Sequence, residues 1–178
     1  MLDAAAHTYS GSGLQFQVRL VQSFSEIATL ENGFFRGLMT VKFLNRSFFQ
    51  RIFGASATSK PLDPQCWIFS DGKIVIDLDR AIELKKSGGA LRLEGGELPM
   101  RVLVIRGDDG KFHAFHNRCT HIGHRRLDPV LGTGSVQCCS VGKSTYTYDG
   151  KKVYGPPTGS IKTFKVGVDG DRLIVFLE

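Results

Sequence analysis

The sequence predicts an all-β protein of stacked antiparallel sheets, preceded by an N-terminal extension with one strand and one basic amphipathic helix. Three observations point that way. About ten short strand-like runs fall between Cys66 and Glu178. Asp-Gly dipeptides at 109–110, 149–150 and 169–170 punctuate them, each a hairpin signal. Glycine is abundant, at 21 of 178 residues, which suits a turn-rich sheet protein better than a helical bundle.

Taken in order, Leu14, Phe16, Val18 and Leu20 alternate with Gln15, Gln17 and Arg19, the pattern of a half-buried strand over 14–20. Residues 34–53 carry Phe34, Phe35, Leu38, Val41, Phe48, Phe49, Ile52 and Phe53 on one side at helical spacing. Arg36, Thr40, Ser47 and Arg51 fall on the other side, and Gly54 is a natural stop. Ser59–Pro64 reads as a linker. Strands are then expected at 67–69, 74–76, 91–93, 101–106, 112–115, 135–138, 144–148, 152–154, 161–166 and 173–177, with Asp79 capping a short helix over 80–86. This division gives an extension, 1–60, and a β domain, 61–178.

Composition sets the class. A chain of 178 residues with 42% hydrophobic and 22% charged residues can bury one core without disulfide staples. The net charge is +6, and the shorter N-terminal part is the more basic. No acid occurs from Asn32 to Lys60, and eight of the 13 phenylalanines precede residue 60. The start of the chain lacks a basic n-region and no long apolar run follows, so a cytoplasmic protein is expected, without a membrane span. The basic aromatic segment 34–53 could meet an anionic membrane surface, dock the domain into a larger assembly, or simply pack with its basic face solvated. No basic-aromatic nucleic-acid reader is visible.

Chemistry concentrates in one stretch. Cys119-Thr-His121-Ile-Gly123 follows the strand at 112–115, and the vicinal pair Cys138-Cys139 follows the strand at 135–138. Thiolate and imidazole on one loop, with further thiols on a second, are a metal-ligand pattern. His113 and His116 lie on a strand and read as structural, His7 belongs to the terminus, and Cys66 reads as an ordinary buried thiol.

These motifs resemble the Rieske [2Fe–2S] domain, whose pattern is Cys-x-His, 15–17 residues, then Cys-x-x-His. Here Cys119-Thr-His121 is followed by 16 residues and Cys138. Trp67, the strand at 101–106, the turn Asp108-Asp-Gly-Lys-Phe-His-Ala and Gly155-Pro156-Pro157, similar to the family's proline loop, extend the likeness over about two-thirds of the chain. The resemblance implies a small cluster-binding subdomain with ligand loops at 119–124 and 138–144. It also implies single-electron transfer by a ferredoxin-like protein or subunit, with a redox partner or host complex, rather than a stand-alone catalyst. The chain is too short to add an oxygenase-type catalytic domain.

The second loop departs from the pattern. With Cys138 as ligand, the second histidine position holds Val141. With Cys139, it holds Gly142, and Ser144 and Tyr146 then line up with the family's serine and tyrosine beside the cluster sulfurs. Either way the second imidazole is missing, and no histidine follows His124. His124 stands where respiratory members carry a loop cysteine, whose partner position here holds Ser140 or Val141. It could approach the site instead. Cys119, His121, Cys138 and Cys139 together would make a Cys3His set acceptable to zinc. A third outcome is a cluster-free Rieske-like module in a structural or regulatory role.

Overall fold

The protein was analysed as a computed structural model that describes residues 41–178 other than Ile122, Pro157 and Thr158. The strand expected at 14–20, and residues 34–40 of the expected helix, lie outside the described residues. Eleven strands form two antiparallel sheets among the described residues. The larger joins β1 (Trp67–Ser70), β2 (Lys73–Asp77), β3 (Ala90–Leu93), β4 (Val102–Arg106), β5 (Phe112–His116), β10 (Thr163–Asp169) and β11 (Arg172–Phe176), in the order β1-β2-β11-β10-β5-β4-β3. The smaller runs β6 (Leu127–Val130), β7 (Ser135–Cys138), β8 (Thr145–Thr147) and β9 (Lys152–Tyr154) in sequence order. The all-β expectation holds.

Strand β4 explains how the layers divide. Four of its five residues are buried. Because side chains alternate along a strand, Val102 and Val104 enter one core with Ile74, Ile76, Leu91, Leu93 and Leu173. Leu103 and Ile105 enter another with Phe115, Leu127, Val136 and Tyr146. Cys119 and Cys138 belong to this second core, so the candidate ligands stand on a packed base. Cys66 lies in the first core, where burial pushes its thiol up to about 11.

Strand β6 was not expected. Pro129 masks it in the sequence, but β6 is the edge of its sheet, the one place where a residue without an amide hydrogen does no damage. Asp79 does not cap a helix. Asp77 Oδ1 accepts the amides of Asp79 and Arg80 instead, and only a 3-10 turn, Ile82–Lys85, follows.

Residues 41–178 form one compact unit, which includes the described residues 41–60. Only Phe48–Phe53 of the expected helix is helical among the described residues, here α1. The preceding residues are drawn out by the sheet: the Leu44 amide donates to Gln137 Oε1 at 3.1 Å and the Leu44 carbonyl accepts from Arg51 at 2.6 Å. Ser47 starts the helix with a reciprocal capping box to Gln50, and Gly54 ends it in the left-handed conformation. Arg51 is buried, while Phe48, Phe49, Ile52 and Phe53 are exposed.

Candidate metal centre

Two loops meet at one end of the small sheet. The first runs from β5 to β6. Buried Asn117 accepts the Leu127 amide at 2.7 Å, the Cys119 amide donates to the Arg125 carbonyl at 2.8 Å, and the His124 amide donates to the His121 carbonyl at 3.1 Å. The second joins β7 to β8. It is closed by the Cys138 amide on the Ser144 carbonyl at 2.7 Å and by a turn from Ser140 to Lys143, whose φ is +49°.

The loops bring Cys119, His121 and Cys138 together, with their ligating atoms all within 4.8 Å of one another. Cys138 Sγ lies 3.8 Å from His121 Nδ1 and 3.2 Å from Ser140 Oγ. Both cysteines are fully buried, while His121 is half-buried. Cys139 takes no part in this group. Its thiol, just past the end of β7, donates to the Gly54 carbonyl at 3.2 Å. The Cys3His set is therefore not assembled. His124 is also apart from the group: its ring Nδ1 lies 3.3 Å from the Cys119 carbonyl and its φ is +45°.

The surroundings are specialised. Tyr146, fully buried, sets its hydroxyl 3.3 Å from Cys119 Sγ and 3.1 Å from Thr120 Oγ1. Ser144 Oγ is buried with no hydrogen-bond partner among the described residues. Gly155, at φ +100°, crosses so near that a Cβ there would stand 2.6 Å from Ser144 Cα. A Cβ on Gly142 would come within 3.2 Å of the Pro156 ring. The Gly155-Pro156 turn thus lies against the second loop. Pro157 is outside the described residues.

Electrostatics follow from the crowding. The hydrogen bond shared with Cys138 holds the Cys119 thiol well below its ordinary range, against the opposing effect of burial, and the same contact pushes Cys138 up. Burial, and then the contact with Cys119, raise Tyr146, which stays protonated as a donor.

The donor set can be tested against a two-iron group. Two buried thiols, a phenol on one of them and an orphan hydroxyl beneath the turn fit the inner half. An unpartnered buried hydroxyl costs about 1–3 kcal/mol unless an acceptor fills the place, and a bridging sulfide is such an acceptor. The outer half fits only through His121. Val141 occupies the remaining position, half-exposed and with no lone pair. The spacing of 3.8 Å between Cys138 Sγ and His121 Nδ1 also suits one ion. Bonds of roughly 2.3 Å to sulfur and 2.0 Å to nitrogen around a tetrahedral centre put the two atoms about 3.5 Å apart.

Sequence reading passed over two contributors. Thr120 was within reach, being the middle residue of the motif. Arg51 was not: its guanidinium donates to the Ser140 carbonyl at 3.3 Å from 89 residues away, a contact that only tertiary folding creates.

The Rieske [2Fe-2S] domain family matches residues 77–165, half of the chain. The glycine betaine monooxygenase oxygenase subunit of Chromohalobacter salexigens is 34% identical over 89 residues, covering 49% of this chain and 19% of that protein. The subunit of the same name from Pseudomonas aeruginosa is 39% identical over 72 residues, 40% of this chain and 16% of that one. The chain thus spans less than a fifth of the length of these relatives. Among solved structures, the plasma membrane Rieske protein PetC3 of Synechocystis PCC 6803 is 25% identical (TM-score 0.41, 49% of this chain and 85% of that one). The ferredoxin of carbazole 1,9a-dioxygenase from Nocardioides aromaticivorans IC177 is 19% identical (TM-score 0.47, 58% and 95%). With the family's first ligand loop intact, the first cysteine of its second loop in place and half of the chain matched, the protein belongs to the Rieske [2Fe–2S] domain family.

Proposed function

We propose that the chain is a Rieske-type single-electron carrier, or the electron-carrying part of a larger assembly, with three protein ligands instead of four. The observation that carries this reading is the orphan Ser144 hydroxyl beside the Cys119–Tyr146 contact. Hydroxyl donors beside the thiols can serve acceptor sulfurs, both those of the cysteines and a bridging sulfide. A [2Fe–2S] group supplies one-electron exchange there. Cys119 and Cys138 would hold its inner iron and His121 its outer iron. Tyr146 would donate to the Cys119 sulfur, Ser144 to a bridging sulfide, and the Gly155-Pro156 turn would keep water from the thiols. Two imidazoles normally help lift such a group to about −150 to +300 mV. With one imidazole replaced by Val141, retention of the outer iron is the weak point. The partner is a redox protein or host complex, in keeping with relatives that are named as oxygenase subunits.

A second reading, a single metal ion on the Cys2His group, is favoured by the 3.8 Å sulfur–nitrogen spacing. Metal and acid-labile sulfide analysis of anaerobically purified protein, with its visible spectrum, separates the readings. About two irons with two sulfides per chain support the carrier. One metal without sulfide selects the single ion. Neither metal nor sulfide removes both and leaves the cluster-free module. Cys119→Ser should abolish whatever is bound.

A further inference from the structure

Helix α1 presents the wrong face to solvent for a simple surface helix. Its one charged residue, Arg51, is 5% exposed, whereas Phe48, Phe49, Ile52 and Phe53 are 63%, 69%, 44% and 73% exposed. An ordinary surface helix turns its apolar stripe to the core and its charge to water. Here the reverse is locked in place. Arg51 donates to the Leu44 and Ser140 carbonyls. The Gly54 carbonyl accepts the Cys139 thiol, and the Phe53 carbonyl accepts from Arg125. Ser47 and Gly54 cap the two ends. Rotating the phenylalanines inward would break the buried Arg51 and Cys139 contacts together. Phe43, by contrast, already has cover, edge-on to Tyr154 with the Lys143 ammonium over its ring.

What surrounds this tip indicates its occupant. No Asp or Glu occurs from Asn32 to Lys60. Exposed Arg125 stands at the C-terminal end of the helix, and Lys42, exposed in the same stretch of sequence, donates to the Leu131 carbonyl. Arg46 and Arg51 are not available, since both are engaged inside the protein. An exposed apolar helix face, with an exposed arginine at its end and no acid in its own stretch of sequence, matches an anionic lipid surface, where phenylalanines enter the acyl boundary and cations meet the headgroups. Lipid requires no matching shape.

We propose that the Phe48–Phe53 face is a membrane-insertion tip that seats the domain on anionic lipid. Through Arg51 and the Ser140 carbonyl, it would hold the second ligand loop close to that surface.

Flotation of the full chain with vesicles tests this. One set is phosphatidylcholine alone; the other adds phosphatidylglycerol. Binding is expected on the mixed vesicles, reduced by high salt. It should weaken by about tenfold or more in the triple variant Phe48→Ser/Phe49→Ser/Phe53→Ser. Those side chains are exposed, so an unchanged thermal melt is expected and shows that the variant folds. Arg125→Gln should weaken binding to the mixed vesicles and leave any binding to neutral vesicles unaltered. The proposal is overturned if the wild-type chain floats with neither vesicle, or if the triple variant floats as the wild type does. It is equally overturned if light scattering shows these phenylalanines joining two copies of the chain without vesicle binding.

Discussion

Cys138 and Cys139 are adjacent and chemically identical, yet they do different things. Cys138 ends β7 with its thiol beside His121, whereas Cys139, just past the strand, gives its thiol to the Gly54 carbonyl. Cys138→Ala should therefore abolish bound metal, while Cys139→Ala should retain it and lose only the buried hydrogen bond, about 1 kcal/mol in denaturant unfolding. Metal analysis of the two variants side by side checks this. Val141→His restores the absent imidazole position and should raise iron and sulfide retained per chain above wild type. Gly155→Ala is expected to cost about 2 kcal/mol or more, since it combines a φ of +100° with a Cβ only 2.6 Å from the Ser144 backbone. Urea midpoints would measure it. The Cys-x-His pair was legible from spacing alone. Which of the two vicinal thiols faces inward depended on where β7 ends, and short-range sequence does not encode that point.

The segment 41–60 shows the limits of periodicity at the level of elements. Helical spacing of the phenylalanines predicted a helix over 34–53, of which only Phe48–Phe53 is helical among the described residues, and spacing could not say which side is buried. That choice was made by long-range polar partners. Asp128, with its side chain 1% exposed, accepts Arg46 at 2.6 Å, Ser56 Oγ at 2.7 Å and the Thr58 amide at 2.8 Å. Asp128→Ala would leave the Arg46 cation, 7% exposed, without its counter-charge. A loss of about 3–5 kcal/mol is expected, with new protease cleavage in 44–58. Adding Arg46→Met should recover part of it, because an apolar stem without a charge no longer needs the carboxylate. Chemical denaturation of the single and double variants gives the comparison.

Across the whole molecule, one ion pair ties the two sheets together. Glu94, just past β3, accepts Arg126 at 2.5 and 2.8 Å, and the Arg126 carbonyl accepts the Cys139 amide at 3.0 Å. Burial opposes ionisation of Glu94, but Arg126 and then Arg92 outweigh it, so its carboxyl lies below the ordinary range. A depressed carboxyl stabilises the fold above its unfolded value and ceases to do so as pH falls through the folded one. The urea midpoint should hold near neutral pH and decline below about 4.3. Glu94→Gln should start lower at pH 7 and show a shallower acid limb. No helix among the described residues is long and apolar enough to cross a membrane, which agrees with the absence of a long apolar run in the sequence.

Local chemistry was enough to read the sheet class, most strands, the first ligand loop and the loss of the second histidine. Each of these is written in neighbouring residues, as alternation, turn dipeptides or ligand spacing. The tertiary structure alone decided that Cys138 rather than Cys139 joins the group, that Ser144 keeps a free hydroxyl there, and that α1 buries its arginine and exposes its phenylalanines. All three depend on partners tens of residues away, whose pull on a side chain exists only once the sheets have packed.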